Sequence, residues 1–298
     1  MIYNLSYILV TRNRLPFLKI TLQHLIDTLL TDEEIVVVDG NSTDGSKEYL
    51  QSLFDDRKIQ QFISEPDENQ AHGWNKAMLM ARGVLIKKII DDDVFCYSAI
   101  RACKQYMLQN SQVDVVISND LSSSINDHKH IDKNSRLPQF EKWRNGLVPS
   151  FTFGDVHMLI RRASLAHIGL YNISYIMMDW EYSLRISFLK ANIAFYTGYN
   201  ALNVGHLQSV TSSRNIQLVK QQAKRAQVFY EYAGDRAQIS FYSKIKIWMG
   251  KTYFRAKNLK TASTVPDLPV GTQLQEIYFA YYQKLEEVNS AGEWQFIS

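Results

Sequence analysis

Leu85–Phe95 reads "LIKKIIDDDVF": a mostly apolar, strand-like run that stops in three consecutive carboxylates, Asp91, Asp92 and Asp93. Strand-forming sequence usually excludes Asp, and adjacent like charges repel. A strand ending this way is either a solvated turn or a place where something cationic sits. The segments on either side decide between the two. Upstream, "YILV" reads as a strand and is followed by "TRNR". Pro16 then takes a helix-opening position, with Leu18, Leu22, Leu25 and Leu29 at helical spacing. "EIVVVDG" is a second β-branched strand, followed by the turn and capping cluster "NSTDGS" and a helical stripe through Tyr49, Leu50, Leu53 and Phe54. "IQQFIS" reads as a weaker third strand, and "NQAHGWNKAMLMARG" as a helix capped by Gly83. After the triplet come a helix through Ile100, Cys103 and Met107 and the strand "VDVVISN". Strand alternating with helix predicts an α/β fold with a largely parallel sheet covered on both faces.

In such sheets ligands bind at the carboxyl ends of the strands. Those ends carry Thr11, Arg12 and Asn13, then Asp39, Asn41 and Asp44, then the Asp triplet. No GxGxxG follows the first strand and there is no GxxxxGK[ST], so neither the common dinucleotide fingerprint nor a P-loop is present. In an extended segment Asp91 and Asp93 project to one side, and such a pair can share Mg2+ or Mn2+, whose shell is completed by substrate phosphates. The cation would offset the repulsion. Asp39, before Gly40, is either a turn residue or a hydrogen-bond acceptor for a base or ribose.

Bulk properties agree with one large or two modest domains: 298 residues, 46% hydrophobic and 21% charged. No apolar run reaches membrane-spanning length, and the start lacks the basic region and cleavage site of a signal peptide, so a cytoplasmic protein is expected. The only cysteines, Cys96 and Cys103, are seven apart, which suits small core residues on one helix face and fits neither a redox pair nor a zinc site. The net charge of +3 is unevenly spread: Arg214–Lys260 holds eleven Lys/Arg against Glu231 and Asp235, about +9, which leaves about −6 elsewhere. Residues 120–155 are polar and loop-like. From Asn215 onward the text is basic and helical.

Four ordered stretches, "ILVTRNRLPFLKITLQHLI", "EIVVVDGNSTDGSKEYL", "SEPDENQAHGWNKAMLMARG" and "IIDDDVF", resemble family 2 glycosyltransferases of the GT-A fold over roughly residues 2–212. The resemblance implies a GT-A domain over 1–212, a helical C-terminal region over 213–298, and an inverting, metal-dependent glycosyltransferase. The donor would be a nucleotide-diphosphate sugar, of the UDP type by family habit, and the acceptor a glycan or lipid-linked glycan in surface polysaccharide synthesis. Thr11, Arg12, Asn13, Asp39 and Asp92 are then donor nucleotide-binding residues, and Asp44 is mainly a helix cap. Asp91, Asp93 and His206 are metal ligands for Mn2+ or Mg2+. In "MMDWEYSLRI", Asp179 takes the position of the general base and Glu181 is the fallback, the alternative being an N-cap Asp. The chain departs from the family pattern at Ile90, where many relatives carry Asp, and at Met178, where Glu is common. Trp74 and Asn75 face the donor region in the resemblance, the alternative for Trp74 being a core position on the helical stripe through Ala77, Met78 and Ala81. Arg161 and Arg162 either approach phosphate or are solvated.

No nucleic-acid partner is expected. A stripe of Phe241, Ile245, Trp248 and Met249 flanked by Lys244, Lys251, Arg255 and Lys257 gives three alternatives: peripheral contact with the inner membrane face, packing on the GT-A domain, or a homo-oligomer contact. Two other functions compete: a sugar-nucleotide pyrophosphorylase, disfavoured because "TRNRLPF" has no glycine, and a catalytically degenerate nucleotide-sugar or glycan-binding domain.

Overall fold

The computed structural model describes residues 3–206, 216–232, 234, 269 and 271–298. The expected boundary at residue 212 and the stripe from Phe241 to Lys257 lie outside the described residues.

The α/β expectation holds. β1 (Leu5–Thr11), β2 (Glu33–Asp39), β3 (Gln61–Ser64) and β4 (Leu85–Ile89) pair in parallel in the order β3-β2-β1-β4. Next to β4, β8 (Met158–Arg161) runs antiparallel, followed by β6 (Val115–Ser124), β9 (Ile193–Gly205) and β10 (Phe296–Ile297). β6 and β9 are again parallel, while β10 adds antiparallel to β9. The short β5 (Val94–Phe95) also pairs with β9, and β7 (Asp127–Asn134) with β6.

Period-two alternation sends the strand residues to two faces. Leu5, Tyr7, Leu9, Ile35 and Val37 meet α1 (Leu15–Thr28), α2 (Ser46–Asp55) and α4 (Tyr97–Gln109). Ile8, Val36, Val38 and Ile86 face α3 (Gln70–Met80), α5 (Leu137–Arg144) and α7 (Met178–Phe188). Both cysteines lie in the first cluster, fully buried. The last helix, α9 (Thr272–Ser290), buries Leu274, Ile277, Tyr278, Tyr281 and Leu285 in that same cluster beside α1 and α4. Besides the short α6 (Leu165–Ile168), α8 (Ile216–Phe229) packs near α7, where Ala226 and Tyr230 meet Leu184.

Three local expectations change. The loop-like middle, 120–155, contains the β6–β7 ladder and α5. Gly83 does not cap α3, which ends at Met80 with Ala81 following in extended conformation. Gly83 is instead required by close packing, since a Cβ there would lie 2.6 Å from the Ser6 nitrogen. The Asp triplet is not extended: it forms a turn between β4 and β5, with Asp93 N donating to Ile90 O at 3.3 Å.

Candidate active site

The carboxyl ends of β1 and β4 open into a cleft of about 710 Å³. Because β8 runs against β4, the segment preceding it, Asp155–His157, arrives at the same edge. Asp120 of β6 and Asn203–Gly205 of β9 join there. The N-terminal ends of α3 and α7 bring Trp74, Asp179 and Trp180. Thr11, Arg12, Asp91, Asp92, Asp93 and Asp179 therefore share one cleft, although 168 residues separate Thr11 from Asp179.

Within the turn the three carboxylates have different partners. Asp92 forms an ion pair with Arg14 at 3.0 Å and lies 2.7 Å from His206 Nε2. Asp91 accepts from Thr11 Oγ1 at 2.7 Å, and Asp93 from the Val204 amide at 2.9 Å. Burial, then the neighbouring Asp92 charge, push the Asp91 carboxyl up to about 7 and raise Asp93 well above the ordinary carboxylate range. This is how a carboxylate behaves when it is dehydrated beside like charge. His206 therefore joins the triplet, but through Asp92 rather than through Asp91 and Asp93. Phe17 stacks on its ring at 4.9 Å.

Among the described residues no three His, Cys, Asp or Glu groups form a metal cage by themselves. The donor set does fit a hard divalent ion, which takes one or two carboxylates and fills its shell with water and phosphate oxygens. Asp91 and Asp93 are the carboxylates that would hold it.

Asp179 is the second residue of α7, and Met177 occupies the N-cap position, so Asp179 does not cap the helix. It lines the same cleft as the triplet. Glu181 turns the other way, buried against Arg185 at 2.8 Å and the Tyr230 hydroxyl, and cannot serve as the fallback in this arrangement. The helix is steadied by α8, where Gln222 accepts from the Ile176 amide at 2.9 Å.

Asp39 and Asn13 are not brought into the cleft lining. Asp39 is fully buried and accepts from Ser42 N at 3.0 Å, from the Ser42 hydroxyl and from Ser64 Oγ at 2.6 Å. Asn13 adopts φ 54° and accepts from Thr43 N at 2.8 Å. Asp44 caps two helices, accepting from Leu15 N at 2.9 Å and Ser46 N at 3.1 Å. Burial pushes its carboxyl up, but the bonds from Ser46 and Leu15 outweigh that and hold it below the usual range. Asn75 exchanges two hydrogen bonds with the Tyr171 backbone. Arg161 and Arg162 donate to the backbone carbonyls of Val113 and Gly83, at 2.9 Å each, rather than to the cleft.

Sequence reasoning passed over a buried polar group on the cleft floor. Lys88 of β4 pairs with Asp155 at 2.7 Å and lies 4.3 Å from the centre of the Trp74 ring, and Tyr171 donates to the same Asp155 oxygen at 2.7 Å. The signal was visible as two lysines inside an otherwise apolar strand.

The sequence profile of Glycosyl transferase family 2 matches residues 6–169, more than half of the chain. The chain belongs to glycosyl transferase family 2. Comparison with curated proteins returns no match. Among solved structures, S. aureus TarS residues 1–349 in complex with UDP-GlcNAc aligns at TM-score 0.59 and 14% identity, covering 96% of this chain and 81% of that one. The mannosyltransferase PcManGT from Pyrobaculum calidifontis, in complex with GDP-Man and Mn2+, aligns at TM-score 0.53 and 15% identity, covering 95% and 87%. At such identities the likeness speaks for a shared GT-A fold. Among the described residues no helix is long and apolar enough to cross a membrane.

Proposed function

We propose that this family 2 member transfers a sugar, with inversion at the anomeric carbon, from a nucleotide-diphosphate donor of the UDP class to a glycan or lipid-linked glycan acceptor in surface polysaccharide synthesis. The observation that carries the reading is the shared cleft, which the buried acid turn and Asp179 both line. Thr11, Arg12 and Asp92 form the nucleotide side. Asp39 and Asn13 act from behind, by fixing the β1 and β2 ends. A divalent ion held by Asp91 and Asp93, with His206 beside them, would supply positive charge to the diphosphate leaving group.

Asp179 accepts the proton of the acceptor hydroxyl as that oxygen bonds to the anomeric carbon and the bond to the diphosphate breaks. Inversion requires base and leaving group on opposite sides of the sugar, the roles assigned here to Asp179 and to the ion-binding triplet. Trp180 lines the same cleft and supplies apolar surface on which a sugar ring can lie.

The test is a panel of UDP- and GDP-sugars screened by thermal shift with and without Mn2+, followed by transfer assays and product stereochemistry by NMR. Stabilisation by one nucleotide class that depends on Mn2+, together with an inverted product, is expected. Retained anomeric configuration would remove Asp179 from the base role. Binding without turnover on any acceptor would return the chain to a binding function.

A further inference from the structure

The backbone of the acid turn is held from two sides. Thr21 Oγ1 of α1 donates to Asp91 O at 2.7 Å, and the Tyr278 hydroxyl of α9 donates to Asp92 O at 2.6 Å. Phe17, on the same helix as Thr21, stacks on His206 and lies 6.0 Å from the Tyr278 ring. Asp92 is thus tied to α9 through its carbonyl, and through its carboxylate to the Arg14–His206 pair that Phe17 covers.

Tyr278 is itself fixed. It is fully buried and meets Tyr281 edge-on at 6.1 Å, and the Tyr281 hydroxyl donates to Ser124 O at 3.0 Å. Farther along, Asn289 accepts from Tyr199 N at 3.1 Å and donates to Tyr199 O at 2.7 Å, while β10 closes onto β9. All of these contacts come from a segment more than one hundred residues past the end of the family match.

We infer that α9 is a working part of the donor site, with Tyr278 as a positioning residue that sets the Asp91–Asp93 turn for a nucleoside diphosphate and its ion. The inference rests on the nucleotide-sugar reading above. Three adjacent carboxylates repel one another and splay apart unless their backbone is fixed. Ligand groups must also be held within about 0.5 Å of working geometry by their surroundings. A buried phenol that donates to the middle residue's carbonyl supplies that restraint without touching the ligand.

The test compares Tyr278→Phe with Tyr281→Phe in the full chain. Each removes one hydroxyl from the same helix, but only Tyr278 reaches the triplet. In metal-free protein, amide hydrogen exchange across residues 90–94 should quicken about 5- to 10-fold in Tyr278→Phe, the scale of one lost hydrogen bond, and stay unchanged in Tyr281→Phe. With Mn2+ present, the Kd for UDP and the donor KM should rise by a similar factor in Tyr278→Phe alone, with kcat little altered. If wild type binds UDP and the two variants match it in exchange and affinity, α9 is only packing, and this inference falls while the donor reading stands. If wild type ignores every nucleoside diphosphate, the donor reading falls and this inference with it.

Discussion

The carboxyl ends of β2 and β4 lie at the same edge of the sheet, and both carry aspartates, but they use them in opposite ways. At β2, Asp39 accepts three hydrogen bonds from Ser42 and Ser64, and Asp44 caps α1 and α2. At β4, the backbone of the turn is well supplied with donors, while Asp91 and Asp93 are buried, crowded by Asp92 and pushed toward the protonated form. The number of donors aimed at a carboxylate, more than its place in the chain, separates an acid that builds a turn from one left dehydrated beside like charge.

The sharpest extension of this contrast crosses the cleft. Asp179→Asn should lower transfer by about 10²–10⁴-fold, the scale of a lost general base, while UDP still binds. Transfer within a few-fold of wild type would move the role off Asp179. Next comes Asp93→Ala. At about 100 times its Kd, UDP with Mn2+ stabilises a binding protein by about 2.7 kcal/mol, and this variant should lose most of that gain without losing its fold. Equal stabilisation of mutant and wild type would remove Asp93 from the cation site.

Asp39→Ala should do the reverse. It strands the Ser42 and Ser64 donors, costing about 2 kcal/mol in urea denaturation, and weakens UDP binding by the folded protein far less than Asp93→Ala does. A loss of affinity without loss of stability would show Asp39 touching the base directly, and would break the contrast between the two strand ends.

The smallest effect concerns Lys87, fully buried in β4, whose amine burial pushes down to about 7. The unfolded chain then binds more protons than the folded one between about pH 7 and the ordinary lysine range near 10.4, so rising pH stabilises the fold over that window. Relative to Lys87→Met, wild-type stability should gain about 1 kcal/mol per pH unit at most from pH 7.5 to 8.5. Parallel pH profiles for the two proteins would place the lysine pKa elsewhere.

Much of this could be read from the chain because the N-terminal half is built from local patterns. β1, β2, β4 and the Leu18–Leu22–Leu25 face of α1 announce themselves by periodicity, and the Asp triplet by its place at a strand end. The turn at Asp91–Asp93 could not be read, because its shape is set by Thr21 and Tyr278, and no local spacing encodes such contacts. The same holds for α5 and β7: their exposed faces are polar, and only Phe140, Trp143 and the β6 ladder show that they are structured. Asp39 and Asp93 look alike in sequence, since the hydroxyls and amides that distinguish them come from Ser64 and Val204, 25 and 111 residues away.

The bond from Tyr278 to Asp92 joins residues 186 positions apart. Contacts this distant in sequence must recover a large loop-closure entropy, and folds rich in them form slowly. The β1–β4 sheet can assemble from near neighbours, whereas the turn that ends β4 acquires its last support only when α9 docks. During folding, the acid turn of the candidate site is therefore among the last parts of the molecule to be fixed.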